Sequence, residues 1–391
     1  MNSFINVGVI GCGTISHVYI ENIVQNYKNL RLVAVSDYFP EKAKEVTEKY
    51  DFVKACSTEE LLADPDISIV LNLTIPMAHY SINKQILNSN KHVYCEKPLA
   101  LETDEAKELV EEANKRNLMC VSAPDTFLGS GIQTVRSLID SGKIGKPTGF
   151  TANMTSSGHE LWHPNPGFYY QKGGGPVWDM GPYYLTALIY LLGPIEEISC
   201  FATSGRPMRN ILGKMQQTEV STHYTAIIKL CNGATGTVTM SFDIWNSSLP
   251  LLEFYGTKGS ITAPDPNYFS GPVQFFDGEK LKDIVDRVQE PHPAKVITMI
   301  ENTESCLNEI DLMFPFEPTH NVNMRGLGVS DMAVALLNNR KSRLSSDLSL
   351  HVVEAMQAFD ISASSGKPYK MTTTCVITDP MDKNWKLWEV K

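Results

Sequence analysis

Between Ile5 and Ser122 short, almost unbroken apolar runs alternate with longer stretches in which apolar residues return every three or four positions. The first kind predicts strands at 5–10, 31–36, 67–74, 92–94 and 118–122. The second predicts helices at 14–27, 40–50, 58–62, 79–89 and 103–117. Strands that are apolar on both faces and separated by helices belong to a parallel sheet covered on both sides. Ligands of such sheets sit beyond the carboxyl ends of the strands. Three loops stand there: Gly11 to Ser16, Thr74-Ile75-Pro76 with His79 beyond it, and Cys95-Glu96-Lys97-Pro98.

After about Pro124 the period changes. One helix is predicted at 131–141, and alternating segments follow at 148–155, 197–203, 222–230, 235–242 and 251–255. Asn232-Gly233 between two of them suits a hairpin turn. The pattern predicts a mostly antiparallel sheet with few helices beside it. Late helices near 323–338 and 347–364 carry apolar residues at helical spacing and are expected to pack on the first domain or on the sheet. Residues 265–319, rich in Pro, Asp and Glu, yield no assignment. The chain thus divides into a first α/β unit with a parallel sheet, 1–124, and a second α/β unit with a mostly antiparallel sheet, 125–391.

A length of 391 residues agrees with two domains. The formal charge of −10 is spread without a basic block, which argues against nucleic acid or an anionic membrane surface as partner and for a small molecule. Eight cysteines are scattered with no C-x-x-C pair, so reduced thiols in a cytoplasmic protein are expected. Neither a basic n-region before the first apolar stretch nor a run of 18 apolar residues is present, so neither secretion nor membrane spanning is expected.

Gly11-x-Gly13-x-x-Ser16 follows the first strand. A dinucleotide turn needs positive φ at Gly11, no side chain at Gly13 and a small residue at Ser16, where helix meets strand. Phosphates would rest on the N–H groups where the helix starts near Thr14 and Ile15. Asp37 ends the second strand 24 residues after Gly13, against about 20 expected for a ribose-binding acid. A carboxylate there accepts from ribose hydroxyls and repels a 2′-phosphate, which favours NAD over NADP. Lys97, after a strand at the ligand edge, faces the cofactor crevice, where partial desolvation is expected to lower its pKa toward a proton-transferring range. Gly173-Gly174-Gly175-Pro176 suits a backbone that passes close to a ligand and then starts a helix, which puts Asp179 and Tyr183 on one face. His159-Glu160-Leu161-Trp162-His163 matches H-E-x-x-H, but Gly158, Pro164 and Pro166 leave no helix long enough for a zinc site, so no metal is expected. Trp162 and His163 are read instead as walls of a substrate pocket.

The stretch Asn90 to Ala100, NKHVYCEKPLA, resembles the G-K-H-V-x-C-E-K-P-L-A signature of the Gfo/Idh/MocA oxidoreductases. Asp179-x-Gly181, Thr74-Ile75-Pro76 with His79, and the hairpin Leu252 to Ser260 extend the resemblance over nearly the whole chain. It implies an N-terminal Rossmann domain, a C-terminal α/β domain whose open sheet mediates dimers or tetramers, Lys97 as the catalytic lysine, and Glu96, Pro76 and His79 along the nicotinamide side. Many members carry histidine where this chain has Tyr183. Members resembling glucose-fructose oxidoreductase and dimeric dihydrodiol dehydrogenase have tyrosine there and tend to use NADP, so NADP stays open. Relatives also often show an arginine-containing segment at Pro124-Asp125-Thr126-Phe127.

The expected activity is hydride transfer between nicotinamide and a carbinol carbon of a sugar, sugar derivative or cyclitol. Lys97 and Tyr183 would handle the proton, and Asp179 would hold a neighbouring hydroxyl. A redox-neutral sugar enzyme with retained NAD and a non-catalytic dinucleotide-binding regulator are the alternatives.

Overall fold

The computed structural model describes residues 4–287, 303–313 and 323–382. Its first sheet is built of β1 (Ile5–Ile10), β2 (Leu30–Ser36), β3 (Lys54–Ala55), β4 (Ile69–Asn72), β5 (His92–Cys95) and β6 (Cys120–Ser122), in the spatial order β3-β2-β1-β4-β5-β6. All its pairings are parallel. Helices α1 (Ser16–Gln25), α2 (Pro40–Lys49), α3 (Thr58–Ala63), α4 (Pro76–Asn88) and α5 (Thr103–Lys115) are the crossovers. Every residue of β4 is buried, as expected of a strand covered on both faces. The order reverses at β1 and β4, and the crevice outside their carboxyl ends is the ligand site of such a sheet.

Helix α1 begins at Ser16 rather than Thr14. The reason is local, since both the backbone N–H and the hydroxyl of Ser16 donate to the Gly13 carbonyl and close a tight turn before the helix.

Helix α6 (Ser130–Asp140) leads into β7 (Pro147–Thr155) and then α7 (Gly175–Leu192), followed by β8 (Ile195–Thr203), a separate hairpin of β9 (Met208–Ile211) and β10 (Lys214–Gln217), β11 (His223–Leu230), β12 (Thr235–Ser241), β13 (Leu252–Gly256) and β14 (Gly259–Ala263). In the stretch that the sequence left unassigned, β15 (Gln274–Asp277), α8 (Gly278–Asp286) and β16 (Leu307–Glu309) form; its remainder at 288–302 and 314–319 lies outside the described residues. Helices α9 (Leu327–Leu337) and α10 (Ser346–Ser365) precede β17 (Tyr369–Lys370). The second sheet runs β16-β15-β14-β13-β7-β12-β11-β8-β17 and is antiparallel except where β12 pairs with β7. Strict alternation of buried and exposed residues along β11 leaves one face open.

Helix α7 is the inner layer of this half. All but three of its 18 residues are buried, and full burial of each large apolar side chain is worth about 1.5–3 kcal/mol. The residues before α9 return to the first sheet's outer layer: Asn22 Nδ2 donates to the carbonyls of Asn323 and Arg325, and the Tyr27 hydroxyl donates to that of Met324. Helix α10 packs on α5, α7 and β8.

Candidate active site

Gly11 has φ +98°, and a Cβ on it would lie 2.7 Å from the carbonyl carbon of Leu73. Only glycine fits that turn. A Cβ on Gly13 would meet nothing within 4 Å, so this position opens onto free space beside the N-terminus of α1, with Thr14 exposed and Ile15 half-buried next to it. The Asp37 carboxylate accepts the Cys12 N–H (2.6 Å) with one oxygen and the Phe39 N–H (2.8 Å) with the other. It therefore stands fixed at the end of β2 and keeps lone pairs for a further donor. Thr74 donates its hydroxyl to Asn72 Oδ1, and Pro76 opens α4. An open glycine turn, a helix start and a fixed carboxylate fit a dinucleotide.

The resemblance places His79 along the nicotinamide, but the structure puts it elsewhere. Its ring is fully buried, with Nδ1 2.6 Å from the Pro98 carbonyl and Nε2 3.0 Å from that of Thr74. No surface remains for a cofactor. His79 instead braces the loops carrying Thr74 and Lys97 from beneath, and burial pushes its pKa down against the pull of the two carbonyls.

Lys97 reaches across to α7. Its Nζ donates to the Asp179 carbonyl oxygen at 2.6 Å and to Asp179 Oδ1 at 2.8 Å, and it lies 5.4 Å from the centre of the Tyr183 ring. Pro176 in the first turn of α7 and one helical turn between positions 179 and 183 put both side chains on the face turned to Lys97. Glu96 takes the Tyr19 hydroxyl (2.8 Å) on Oε1 and the Lys97 N–H (2.9 Å) on Oε2.

The sequence predicted a lowered pKa for Lys97, and the sign is wrong. Burial does push it down, but Asp179, aided by Tyr183 and Glu96, outweighs burial and holds the ammonium above the usual lysine range. The partner shows the same balance: burial would raise Asp179, yet Lys97 and His159 hold its carboxyl down at about 2.

His159 reaches Asp179 Oδ2 through Nε2 at 3.2 Å, and its ring stacks on Tyr169 at 3.9 Å. Within the H-E-x-x-H pattern it is this histidine, rather than His163, that meets the aspartate. Residues 159–161 make a single 3-10 turn, which turns Glu160 away toward Arg209 Nη1 (2.9 Å) and the Tyr170 hydroxyl. Trp162 and His163 lie one aromatic layer out, Trp162 against His159 (5.1 Å) and His163 against Tyr169 (5.2 Å). Among the described residues no group of three or more His, Cys, Asp or Glu could hold a metal ion.

The sequence reading missed Arg325. Its Nη2 donates to the Tyr183 hydroxyl oxygen at 3.3 Å and to Asn267 Oδ1 at 2.9 Å, from a segment 142 residues further along the chain. Nothing in the local sequence marks it, because fold closure alone brings it there. His159 could have been found, since the pattern flagged it, but only with the wrong chemistry.

Residues 5–123 match a family model described as the oxidoreductase family with an NAD-binding Rossmann fold, and residues 132–262 match that of the GFO/IDH/MocA C-terminal domain. Myo-inositol 2-dehydrogenase of Thermotoga maritima is 25% identical over 305 residues, 76% of this chain and 88% of that one. Trans-1,2-dihydrobenzene-1,2-diol dehydrogenase of Bos taurus is 28% identical over 263 residues, 66% of this chain and 74% of that one. A solved structure of levoglucosan dehydrogenase in complex with NADH and L-sorbose shares the fold, with a TM-score of 0.78 over 95% of this chain and all of that one at 18% identity.

Proposed function

The chain belongs to the Gfo/Idh/MocA oxidoreductase family, and on that premise we propose that it is an NAD-dependent dehydrogenase acting on a carbinol carbon of a sugar, sugar derivative or cyclitol. The observation that carries this reading is the Lys97–Asp179 pair beneath Tyr183, at the ligand edge of an NAD-binding Rossmann sheet. The names of the relatives support a polyol substrate, and Asp37 favours NAD over NADP. All eight cysteines are free, in keeping with a cytoplasmic protein.

Bound nicotinamide would supply the acceptor or donor of hydride, held by the turn at Gly11, Gly13, Thr14 and Ile15, by Asp37, and by Thr74, Pro76 and Glu96. Lys97 has three N–H donors and spends two on Asp179, which leaves one for the substrate oxygen. Kept cationic by Asp179, it stabilises the negative charge that develops on that oxygen as the hydroxyl proton leaves. Tyr183 accepts this proton in oxidation and returns it in reduction. Asp179 fixes Lys97 and His159 and offers its remaining lone pairs to a neighbouring hydroxyl, with Trp162 and His163 as outer walls.

The test is a titration of nucleotide-stripped protein with NADH and with NADPH, followed by nicotinamide fluorescence. A panel of myo-inositol, levoglucosan and aldoses is then offered with the matching oxidised cofactor. Saturable binding, tighter for NADH, with polyol-dependent reduction of the cofactor is the expected result. Binding without turnover would favour the redox-neutral enzyme or the regulator, and absence of binding would overturn the reading.

A further inference from the structure

Tyr183 stands between two cations. Lys97 lies over its ring, and Arg325 donates to its hydroxyl oxygen. Neither ammonium nor guanidinium can accept a hydrogen bond. The Tyr183 proton therefore cannot be directed at either neighbour, and among the described residues this hydroxyl donates to no protein acceptor. What remains is the small part of Tyr183, 7%, that stays exposed, which is where a substrate oxygen would meet it.

Arg325 is itself held from several sides. Its Nη1 donates to Asn323 Oδ1 at 3.0 Å and its Nη2 to Asn267 Oδ1 at 2.9 Å. Its carbonyl accepts from Asn22 on α1. The next residue, Gly326, has φ +102° and lies against the Tyr27 ring, where a Cβ would approach to 3.1 Å. Asp125 Oδ2 accepts the N–H groups of both Gly326 and Gly328 at 2.9 Å. That explains the loop at Pro124 to Phe127, where the sequence lacks an arginine: its aspartate anchors the turn that delivers one from elsewhere. A guanidinium fixed in this way needs no reorganisation when charge appears beside it.

Resting on the dehydrogenase reading, we propose that Arg325 is a positioning residue for Tyr183: it holds the hydroxyl oxygen as acceptor, so that with substrate bound the Tyr183 proton is exchanged with the substrate oxygen rather than with a neighbouring side chain. In oxidation Tyr183 enters as phenolate: the substrate O–H breaks and its proton joins the Tyr183 oxygen, the carbinol C–H leaves as hydride to oxidised nicotinamide, and the proton passes from Tyr183 to solvent once the product has left. In reduction both transfers reverse. Arg325 favours the phenolate that exists whenever Tyr183 has given its proton up. The other titratable groups that act on this phenol are Lys97 after β5 and Tyr169, while Asp179, Glu96 and Tyr19 act on the two cations that flank it.

The test uses the full chain with Cζ-labelled tyrosine and bound NAD, the Tyr183 resonance being assigned by its loss in Tyr183→Phe. In Arg325→Met and Arg325→Gln the NMR titration midpoint of this resonance is expected to move up by about one to two pH units. Arg325→Lys should recover part of the shift. The low-pH limb of kcat for myo-inositol oxidation should move with it. A glutamine at this position keeps a neutral donor in place of the charge, although its amide ends short of the guanidinium nitrogens, so Arg325→Gln serves if the methionine variant does not fold. An unmoved midpoint in a folded, NAD-binding Arg325→Gln protein would overturn the proposal, even if its melting temperature had dropped. A moved midpoint without polyol turnover would keep the Arg325–Tyr183 coupling and remove the dehydrogenase reading, and with it the transfer to a substrate oxygen.

Discussion

At Lys97 two opposing effects meet. Burial disfavours an ammonium, and a carboxylate at 2.8 Å favours it more. The side chains of Lys97 and Asp179 are only 18% and 13% exposed, so truncating the lysine leaves a desolvated carboxylate with His159 but without its cation and is expected to cost about 3 kcal/mol of stability. Lys97→Ala should lower turnover by about 10²–10⁴-fold while NADH affinity changes little; steady-state kinetics beside a fluorescence titration would show it, and unchanged turnover would take Lys97 out of the mechanism. His351 offers a second test at this scale. It is fully buried, its Nε2 accepts the Ile195 N–H at 2.9 Å, and burial presses its pKa from 6.5 down to about 4. The unfolded chain takes up this proton as pH falls through 6.5, whereas the folded one resists until about 4. Stability is therefore full above pH 6.5 and falls by up to about 3 kcal/mol across that window. Denaturant unfolding at pH 7, 5 and 4 should give a shallower decline for His351→Gln, and parallel declines would exclude His351. Glycines, Asp37, Lys97 and Asp179 were legible as residue types at fixed spacings, whereas the sign of the Lys97 shift depends on a partner 82 positions away.

Among the elements, the strand-turn-helix of β1 and α1 is written locally, because positive φ at Gly11 and the Ser16 bonds to Gly13 involve neighbours in sequence. The 159–161 turn is different. Its His159 meets Asp179 because Glu160 is tied to Arg209 on β9, whose side chain is 1% exposed. Arg209 also donates to Asp243 and lies 4.8 Å from the centre of the Tyr170 ring. Breaking a buried pair of this kind costs about 3–5 kcal/mol because the carboxylates keep their desolvation. Arg209→Met is expected to lose stability of that order in chemical denaturation, and a loss below about 1 kcal/mol would show the cluster to be well solvated. No periodicity reveals such a tie, since it joins a 3-10 turn to a short separate hairpin through side chains. Helix α7 was legible only at its Pro176 start. Its body is apolar nearly all round, which is how a buried helix reads and leaves no periodic stripe.

For the whole molecule, α7 and α10 pack on the nine-stranded sheet, and among the described residues the alternate positions of β11 leave its other face open. On that face Phe201 and Ile227 are 81% and 61% exposed, and because Phe201 pairs with Thr225, two residues before Ile227, they are diagonal neighbours. We propose that this face joins two copies of the chain; light scattering of Phe201→Asp/Ile227→Asp should then give half the mass of the wild type, and equal masses would exclude this face. Among the described residues no helix is long and apolar enough to cross a membrane. The parallel sheet apart from β3, the middle strands of the second sheet, the hairpin at Asn232-Gly233 and the late helices could be read from period and turn chemistry, because burial on one face or two imposes a repeat on neighbouring residues, whereas β3 and β15 to β17 are too short to show one. The parallel pairing of β12 with β7, the bracing role of His79 and the arrival of His159 and Arg325 could not, because each depends on segments far apart in the chain. The sequence by itself determined the nucleotide turn, the two-sheet division and the lysine at the ligand edge, all products of local sterics and periodic burial. Tertiary structure alone decided which charges meet, and therefore that Lys97 stays an ammonium and that Tyr183 has its oxygen held by an arginine.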